Sequence, residues 1–585
     1  MNLLYPDPYR MVFASLLFST LLGLSILFYK FIYPKKKINL FFLLILISIL
    51  PIISIFREGT YQAGDLSLHS AYLQGFYNNL KLGILVPRWG ADFCGGYGCP
   101  NFMFEYMLPF YIGSVFHFIG FSFINSMKLF LASSYILSGI TMYLFIKDEY
   151  GDKSAFVASL LYLFAPIRFI EMHFRVSVGT DAAFIFIPLS FLFAKKIADG
   201  KNIYVSLFAI NLLLLTLAHS SSAFMIIPLS ILYALFKLKD KKQLVHLIIA
   251  CVLGAGLTAY YVFPALSEIK YTWYNPNVVV KYTKEAFFPI WYYLFSPARY
   301  GLLFQGNQGE LRLIVGYPHL FIFILGTILL IKSKFPKKET LAVTLILLFT
   351  FISFCMMLSF TAPLWNNIFF FKSFVLPWRM LIPIAFFTSF LSAFIVKKWN
   401  NKILILFCLF VVLSTVLNWG NRKMVPPNPN EYQNTWIMYS EYFKPNNPLY
   451  LHRLNTRLPI ADTLVLNHPK SHLVIISGKG QYKEIERTPI LHKYIVSAST
   501  NLNIIDNTYY FPGWNVYANG KPIHLNIENP LKFGAISFNL KPGLYIIEAK
   551  FENTNIINIG NLTSFLSFII LISLFFSSKY IIKFK

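Results

Sequence analysis

Apolar runs of bilayer length recur along most of this chain, and they constrain its fold more than any other feature. Each run approaches the roughly 20 consecutive apolar residues that a helix needs to cross a membrane. Hydrophobic residues make up 56% of the 585-residue chain and charged residues only 13%, against about 25% charged in a typical soluble domain. The sequence therefore predicts a polytopic α-helical membrane protein and excludes an ordinary soluble fold.

Thirteen segments are predicted as membrane spans. They are 11–33, 39–56, 124–146, 153–169, 183–199, 203–218, 222–238, 243–265, 316–332, 340–358, 379–396, 402–419 and 562–578. The segment 105–122 is also apolar enough to cross, and whether it does so decides the orientation of every span that follows it. The positions of the charges distinguish the two topologies.

The net charge of +26 reports orientation, because lysines concentrate in short loops between the predicted spans. These lysine clusters lie within 35–37, 195–201, 237–242, 332–338, 397–402 and 579–585. Short basic loops mark the cytoplasmic side of a membrane, and all of these loops reach that side if 105–122 does not cross. We therefore predict a re-entrant or interfacial helix there, in a multi-pass protein of the cytoplasmic (inner) membrane. The N-terminus is then outside and the C-terminus inside, and the charge requires no nucleic-acid partner.

The predicted outer side holds most of the sequence that lies between spans. Its longest stretch, 420–561, alternates short apolar and polar segments with turn signals such as Asn519-Gly520-Lys521-Pro522, a pattern typical of β-strands. The strands are predicted at 472–477, 493–499, 502–507, 514–518, 535–540 and 544–551. The chain then divides into a transmembrane domain, an extracytoplasmic β-sandwich-like domain, and a final span with a basic tail. The transmembrane domain covers 1–419 and includes a first outer loop at 57–123. The β-domain covers 420–561, and the final span with its tail covers 562–585.

Acidic residues of the first outer loop are the leading catalytic candidates. Asp65 begins a predicted helix in which Asp65, His69 and Tyr72 share one face through their i, i+4 and i+7 spacing. A carboxylate at this boundary is suited to act as a base or a metal ligand. The alternative is that Asp65 only caps the helix and that His69 is a surface residue. Glu58 is a second acidic candidate in the same loop.

Cys94 and Cys99 are the two cysteines predicted to lie outside. They belong to a glycine-rich stretch of the first outer loop whose glycines indicate tight turns. An oxidising compartment permits a disulfide between them, whereas two cysteines alone are a poor signal for zinc.

A second group of ionisable residues lies between apolar spans at the predicted outer boundary. Ionisable side chains at membrane depth are costly and usually functional, which makes Glu171, His173 and Asp181 candidates for substrate binding. The alternatives are an i, i+4 ion pair between Glu171 and Arg175 and a helix-capping role for Asp181.

Arginines at the outer mouths of spans are candidates for binding a phosphate group. Arg175, Arg299 and Arg379 all have this position, and the fixed donor fork of arginine suits phosphate. The alternative is that these side chains extend to the membrane interface without binding a ligand. His219, at an outer turn, is a further candidate for substrate binding, with a structural role as its alternative.

Several short motifs occur in an order that resembles a known family. They are Gly64-Asp65 with His69, Gly95-Gly96-Tyr97-Gly98-Cys99-Pro100, Ala165-Pro166 with Glu171, Arg175 and Gly179, Pro377-Trp378-Arg379, and Phe511-Pro512-Gly513-Trp514. Together they resemble the bacterial membrane proteins labelled 6-pyruvoyl-tetrahydropterin synthase-related, with YfhO-like proteins as more distant relatives. More broadly, the chain resembles the GT-C class of integral-membrane glycosyltransferases.

The resemblance implies a GT-C-like fold and transfer of a sugar from a polyprenyl-phosphate carrier to an extracytoplasmic glycan, lipid or protein. Membrane lipid and the lipid-linked donor are then partners. By its position in the motif, Asp65 matches the acidic residue that serves this class as catalytic base or metal ligand. A divalent cation such as Mg²⁺ or Mn²⁺ is implied with it. The class often carries paired acidic residues at this point, whereas here Leu66 and Ser67 follow Asp65.

Two other classes of function remain open. A transporter or flippase of lipid-linked glycans performs no chemistry and would place functional charges deep within spans, yet the predicted spans are almost free of charge at mid-depth. A scaffold for cell-envelope glycans would act through the β-domain, and it would not depend on Asp65.

Overall fold

A computed structural model of the chain is mostly helical, with a β-sheet region before the last helix. It describes residues 8–61, 63, 65–271, 287–295, 313–368, 371, 374, 376–419, 424–425, 471–526 and 535–583. Eight of the described helices are long and apolar enough to cross a membrane. The chain is therefore a multi-pass membrane protein, while the exact number of spans stays a prediction.

Each predicted span overlaps a described helix. The α-helices are α1 (Pro8–Ile32), α2 (Leu40–Ile49), α3 (Leu66–Lys81), α4 (Asn101–Phe104), α5 (Leu108–Phe118), α6 (Phe123–Leu163), α7 (Pro166–Phe169), α8 (Val178–Ala198), α9 (Ile203–Ala218), α10 (Ser220–Lys237), α11 (Lys241–Glu268), α12 (Ile290–Leu294), α13 (Tyr317–Ile331), α14 (Lys337–Cys355), α15 (Ala362–Asn367), α16 (Leu381–Val396), α17 (Asn401–Leu413) and α18 (Asn555–Lys583). A π-helical turn, Ile170–Arg175, joins α7 to α8.

The helix α6 is a hairpin of two helical arms rather than one long rod. Its backbone leaves the helical conformation at Gly151, where φ is 78°, a left-handed value that glycine adopts without steric cost. The arms lie side by side, since the Tyr135 hydroxyl donates a hydrogen bond to the Leu163 carbonyl at 2.9 Å. The two spans predicted at 124–146 and 153–169 correspond to these arms, although the second ends earlier than predicted.

The segment predicted not to cross forms a short helix. The helix α5 has 11 residues and is about 16 Å long at 1.5 Å per residue, well under the thickness of a bilayer. The two ends of the first outer loop lie close together. The Lys128 ammonium, in α6 just after the loop, donates to the carbonyls of Arg57 (2.7 Å) and Gly59 at the start of the loop. This geometry supports the prediction that 105–122 does not cross.

Several of the lysine-rich loops meet at one end of the bundle. Lys195 and Lys196, at the end of α8, both contact the Asp148 carboxylate, Lys195 at 2.7 Å. Lys237, at the end of α10, contacts Glu149 at 3.3 Å. The turn of the α6 hairpin and the ends of α8 and α10 therefore share one end, as the charge pattern predicts. That this end is cytoplasmic stays a prediction.

The C-terminal β region is built from two antiparallel sheets. One has the strand order β4-β5-β10-β7-β8 and the other β3-β6-β9, while β1 pairs with β2 in a separate two-stranded sheet. The strands are β1 (Thr60–Tyr61), β2 (Met424–Val425), β3 (Leu473–Ser477), β4 (Gly480–Thr488), β5 (Leu491–Ala498), β6 (Leu502–Tyr509), β7 (Trp514–Ala518), β8 (Lys521–Pro522), β9 (Ala535–Leu540) and β10 (Gly543–Phe551). The larger two sheets contribute to one buried core, which is the arrangement of a sandwich.

Two details of the β region differ from the sequence prediction. The strand β4 was not predicted, because this edge strand is mostly exposed and its charged residues break the expected apolar alternation; charges are common on edge strands. The last helix begins at Asn555, ahead of the predicted 562. Of the predicted β-domain, 420–423, 426–470 and 527–534 lie outside the described residues.

An arginine ties the first outer loop to two membrane helices. Pro264 in α11 has no N–H, so the carbonyl of Tyr260 lacks its usual helical donor. The Arg88 guanidinium donates to that carbonyl at 2.9 Å and to the Asn561 side chain of α18 at 3.4 Å. The proline thus creates an acceptor inside α11 that fixes the outer loop beside the last helix.

The glycine-rich stretch of the first outer loop contacts the β-domain. Cys94 and Cys99 form a disulfide, which decides a pairing that the sequence leaves open. Between them, the Tyr97 ring stacks on Tyr509 with centroids 4.9 Å apart, and the Tyr509 N–H donates to the Tyr97 carbonyl. The disulfide loop therefore packs against the β-domain.

Trp89 is a fully buried side chain at this contact, and replacing it by alanine should detach the β-domain. Its ring is 1% exposed and packs on Trp514 and Phe551, with centroids 5.5 and 5.3 Å away. Loss of a buried Trp side chain costs about 3–5 kcal/mol. We expect Trp89→Ala to expose the β-domain to limited proteolysis in detergent, whereas Trp291→Ala, which removes a 53% exposed ring, should leave the digestion pattern unchanged. An undigested Trp89→Ala protein would show that Trp89 does not hold the domain.

Candidate active site at the first outer loop

Asp65 lies at the first residue before α3, half-buried, where the first outer loop meets the π-helical turn. Its backbone N–H donates to the Arg175 carbonyl at 2.8 Å, which fixes the start of α3 against that turn. The side chain of Asp65 makes no capping hydrogen bond to α3. The capping alternative therefore describes the backbone position of Asp65 but not what its carboxylate does.

Arg175 faces the same region and is already paired. Its Nη1 donates to both carboxylate oxygens of Glu171, at 3.0 and 3.2 Å, and its guanidinium lies 4.9 Å from the centroid of the Trp378 ring. The predicted i, i+4 pair is confirmed. Glu171 is 1% exposed and Arg175 29% exposed, so Glu171 is positioned behind Arg175 rather than at the accessible edge.

A second ion pair is completely buried beneath the first. The Arg168 guanidinium lies 3.1 Å from the Asp181 carboxylate, and neither side chain is exposed. The rings of Tyr135 and Phe184 flank the Arg168 guanidinium at 5.1 and 4.1 Å, which is a cation–π arrangement. Asp181 is inside the first turn of α8 and not a capping residue. The Asp181 side chain has no exposed surface, and its role in substrate binding stays a prediction.

His69 is buried one turn into α3 and bonds to a tyrosine that precedes α5. Its Nε2 lies 3.2 Å from the Tyr106 hydroxyl. Burial lowers the pKa of His69 to about 4, against a raising influence from Asp65 and a further lowering by Arg175. The imidazole is therefore neutral at physiological pH.

The start of α10 brings His219 and Arg379 to the same place. The His219 Nδ1 accepts a hydrogen bond from the Ser222 backbone N–H at 3.2 Å and so caps α10, while a role of this histidine in substrate binding stays a prediction. Arg379, which is 6% exposed, donates to the Ser221 hydroxyl at 3.3 Å and to the Phe374 carbonyl at 2.9 Å.

These contacts close into one cluster. The rings of Tyr106 and His219 have centroids 6.0 Å apart. Tyr106 also bonds to His69 of α3, the helix that begins directly after Asp65. We name this set the Asp65 cluster; its members are Asp65, His69, Tyr106, Glu171, Arg175, His219, Trp378 and Arg379. Residues separated by more than 300 positions in the sequence thus meet at one end of the helical bundle.

Besides Asp181, three predicted site residues lie outside the Asp65 cluster or are not described. His173 is buried against Phe169, with ring centroids 6.2 Å apart, and burial lowers its pKa to about 3 with a further lowering by Arg57. Glu58 is exposed and makes no ion pair among the described residues. Arg299 lies outside the described residues. Their predicted roles remain untested.

The cluster contains residues that the sequence did not single out. Tyr106 is a member of the cluster and Glu105 adjoins it, and both lie at the start of the apolar segment 105–122. The Glu105 charge acts on Tyr106 and on Tyr261, so a second half-buried carboxylate lies near the first. The sequence signal for these two residues is an acidic side chain next to a tyrosine at the start of an apolar segment.

The described residues do not make a fitting site for a divalent cation. Metal sites for Mg²⁺ or Mn²⁺ collect several oxygen ligands. The carboxylates of Glu171 and Asp181 are occupied by arginines, and no three His, Cys, Asp or Glu side chains in the described ranges are grouped to hold a metal ion. We therefore derive no step through a metal.

Comparison with known proteins gives weak similarities. No protein-family model matches the chain. An uncharacterized protein of Lactococcus lactis subsp. cremoris is 26% identical over 256 residues, which is 42% of this chain and 42% of that protein. A cryo-EM structure of the arabinofuranosyltransferase AftD from Mycobacteria is similar with a TM-score of 0.35 and 12% identity, over 66% of this chain and 28% of that one. The chain thus spans less than half the length of either protein.

Proposed function

We propose that this protein is a membrane glycosyltransferase of the GT-C class. It transfers a sugar from a polyprenyl-phosphate-linked donor to a glycan, lipid or protein acceptor outside the cytoplasmic membrane. The observation that carries this proposal is the Asp65 cluster, in which a half-buried carboxylate lies beside arginines at one end of a membrane bundle. The resemblance of the sequence motifs to that class supports it, because the same motifs supply Asp65, Arg175 and Arg379.

In the proposed reaction the Asp65 carboxylate removes the proton from an acceptor hydroxyl. The hydroxyl oxygen forms a bond to the anomeric carbon of the donor sugar, and the bond between that carbon and the phosphate oxygen breaks. The electron pair leaves with the phosphate, giving free polyprenyl phosphate. Asp65 then loses its proton to water when the product departs.

Arg379 is the first choice for holding the departing phosphate. Arg175 already shares its charge with Glu171, whereas Arg379 lies at the start of α10, bonded to the Ser221 hydroxyl. Backbone N–H groups at a helix N-terminus attract phosphate, and a fixed cation there stabilises charge that develops in the transition state. Arg175 and Arg299 remain further candidates.

Replacing Arg379 should weaken donor binding. A hydrogen bond to a charged group contributes about 1.5–3 kcal/mol, so we expect Arg379→Gln to raise the KM for the donor by about 10- to 100-fold. Arg379→Lys, which keeps the charge, should recover part of the loss. Arg487→Gln removes an arginine of the β-domain and serves as the matched control. An unchanged donor KM in Arg379→Gln would remove Arg379 from the phosphate site.

The buried charges of the described helices weigh against an ion-coupled transporter as the alternative. The Arg168 and Asp181 charges compensate each other, and Lys128 is fixed by backbone carbonyls near the start of α6. These charges are compensated locally, at the end of the bundle that holds the Asp65 cluster. They do not form the row of charges through the bundle that an ion pathway would need.

The test is reconstitution of the full chain in liposomes with synthetic polyprenyl-phosphate-linked sugars and candidate acceptors. Sugar transfer releases polyprenyl phosphate, which mass spectrometry detects, so a glycosyltransferase gives acceptor-dependent release. A flippase would instead move a fluorescent lipid-linked sugar between leaflets without releasing the phosphate. Transbilayer movement without phosphate release would show a transporter instead of a glycosyltransferase. If the protein gives neither signal, the scaffold function is the class that remains.

A further inference from the structure

Tyr106 occupies the junction between three elements of the Asp65 cluster. It precedes α5, its hydroxyl lies 3.2 Å from His69 Nε2 in α3, and its ring lies beside His219 before α10. Gly179, in the first turn of α8, completes this junction. A Cβ at Gly179 would approach the Tyr106 ring to 2.8 Å and the Ala218 carbonyl to 2.6 Å, so only glycine lets α8 and Tyr106 come this close.

The hydrogen bond between Tyr106 and His69 couples the tyrosine hydroxyl to the tautomer of the imidazole. The Tyr106 hydroxyl and the His69 Nε2 lie 3.2 Å apart, and either atom can be the donor. A neutral imidazole has one donor and one acceptor nitrogen, so the direction of this bond determines which nitrogen of His69 carries the proton.

From this geometry we infer that Tyr106 is a positioning residue for Asp65, acting through His69. The α3 backbone is fixed at its first residue by the Asp65 N–H bond to Arg175 and, one turn later, by the His69 bond to Tyr106. Asp65 and His69 share one face of that turn. Loss of the Tyr106 hydroxyl frees His69 and with it the first turn of α3, and the carboxylate moves relative to the acceptor.

The arrangement at His69 distinguishes this role from ordinary core packing. The Nδ1 of His69 is buried and has no hydrogen-bond partner among the described residues. The rings of Tyr72 and Phe110 also pack on His69, but among the described residues the bond to Tyr106 is the side-chain hydrogen bond that fixes its tautomer. A residue that only filled space would be replaced by phenylalanine without consequence, because phenylalanine keeps the ring and loses only the hydroxyl.

The experiment compares Tyr106→Phe with Tyr111→Phe in the reconstituted full chain. Tyr111 belongs to α5, and its hydroxyl bonds to the Leu85 carbonyl at 2.6 Å, away from the cluster. This inference rests on the proposed glycosyltransferase activity. Because a small misplacement of a catalytic group costs up to about 100-fold in rate, we expect Tyr106→Phe to lower kcat by about 10- to 100-fold. The donor KM should stay within about twofold, and Tyr111→Phe should match the wild type.

Two further variants separate the hydrogen bond from packing. His69→Gln keeps an acceptor for the Tyr106 hydroxyl and should retain more activity than His69→Leu. The losses in Tyr106→Phe and His69→Leu should not add in the double variant, because both remove the same bond. Additive losses, or a Tyr106→Phe protein with unchanged kcat, would overturn the inference.

A spectroscopic readout keeps the inference distinguishable from the proposed function. In protein with ¹⁵N-labelled histidine, His69 should show one defined tautomer in the wild type, and its signal should change in Tyr106→Phe but not in Tyr111→Phe. His69→Gln identifies the signal. An identical His69 signal in wild type and Tyr106→Phe overturns the inference even if the protein transfers sugar. Absence of transfer by the wild type, with the expected spectrum, overturns only the proposed function.

Discussion

Replacing Asp65 by asparagine is expected to abolish most sugar transfer while leaving the protein folded. A positioned general base contributes about 10²- to 10⁴-fold to a rate, and asparagine has nearly the same shape but accepts no proton. The side chain of Asp65 makes no capping bond to α3, and the bond that anchors this position uses the backbone N–H, which asparagine retains. We therefore expect kcat to fall by about 10²-fold or more at an unchanged melting temperature in detergent.

Glu58→Gln is the matched control for this experiment. Glu58 is an acidic residue of the same loop, but it is exposed and makes no ion pair in the described part of the chain. Its replacement should leave kcat near the wild-type value. A loss of transfer in Glu58→Gln with normal activity in Asp65→Asn would move the base from Asp65 to Glu58, as the sequence alternative allows.

Breaking the buried pair between Arg168 and Asp181 should have the largest effect on stability. Both side chains have no exposed surface, so Arg168→Leu leaves the Asp181 carboxylate buried without its cation. Removing one partner of a buried ion pair costs about 3–5 kcal/mol, mainly because the remaining charge is uncompensated. We expect the free energy of unfolding of Arg168→Leu, measured by denaturant titration in mixed micelles, to fall by about that amount.

The double variant Arg168→Leu with Asp181→Leu tests the cause of that loss. Apolar replacement of a complete buried pair is often nearly neutral, so the double variant should be more stable than Arg168→Leu alone. If it is equally unstable or worse, the cation–π contacts of Arg168 with Tyr135 and Phe184, and not the compensation of charge, account for the effect.

Features that depend on neighbours along the chain could be predicted from the sequence. The apolar runs indicated the helices, and the i, i+4 spacing indicated the pair of Glu171 with Arg175. Each of these follows from local geometry, which sequence spacing determines.

Features that depend on packing between distant segments could not be predicted. Arg168 and Asp181 meet because the π-helical turn reverses the chain between α7 and α8, and no spacing rule indicates that turn. The contact of Tyr106 with His69 requires the short helix α5 to return along α3. The strand β4 was missed because its pairing with β5 compensates for a sequence without apolar alternation.

A cryo-EM structure of the full chain with a bound polyprenyl-phosphate lipid tests the central claim most directly. We expect the phosphate to lie within hydrogen-bond distance of the Arg379 guanidinium and the Asp65 carboxylate to face the side from which an acceptor reaches the phosphate-bearing carbon. A phosphate bound at the opposite end of the bundle, among Lys195, Lys196 and Lys237, would contradict it.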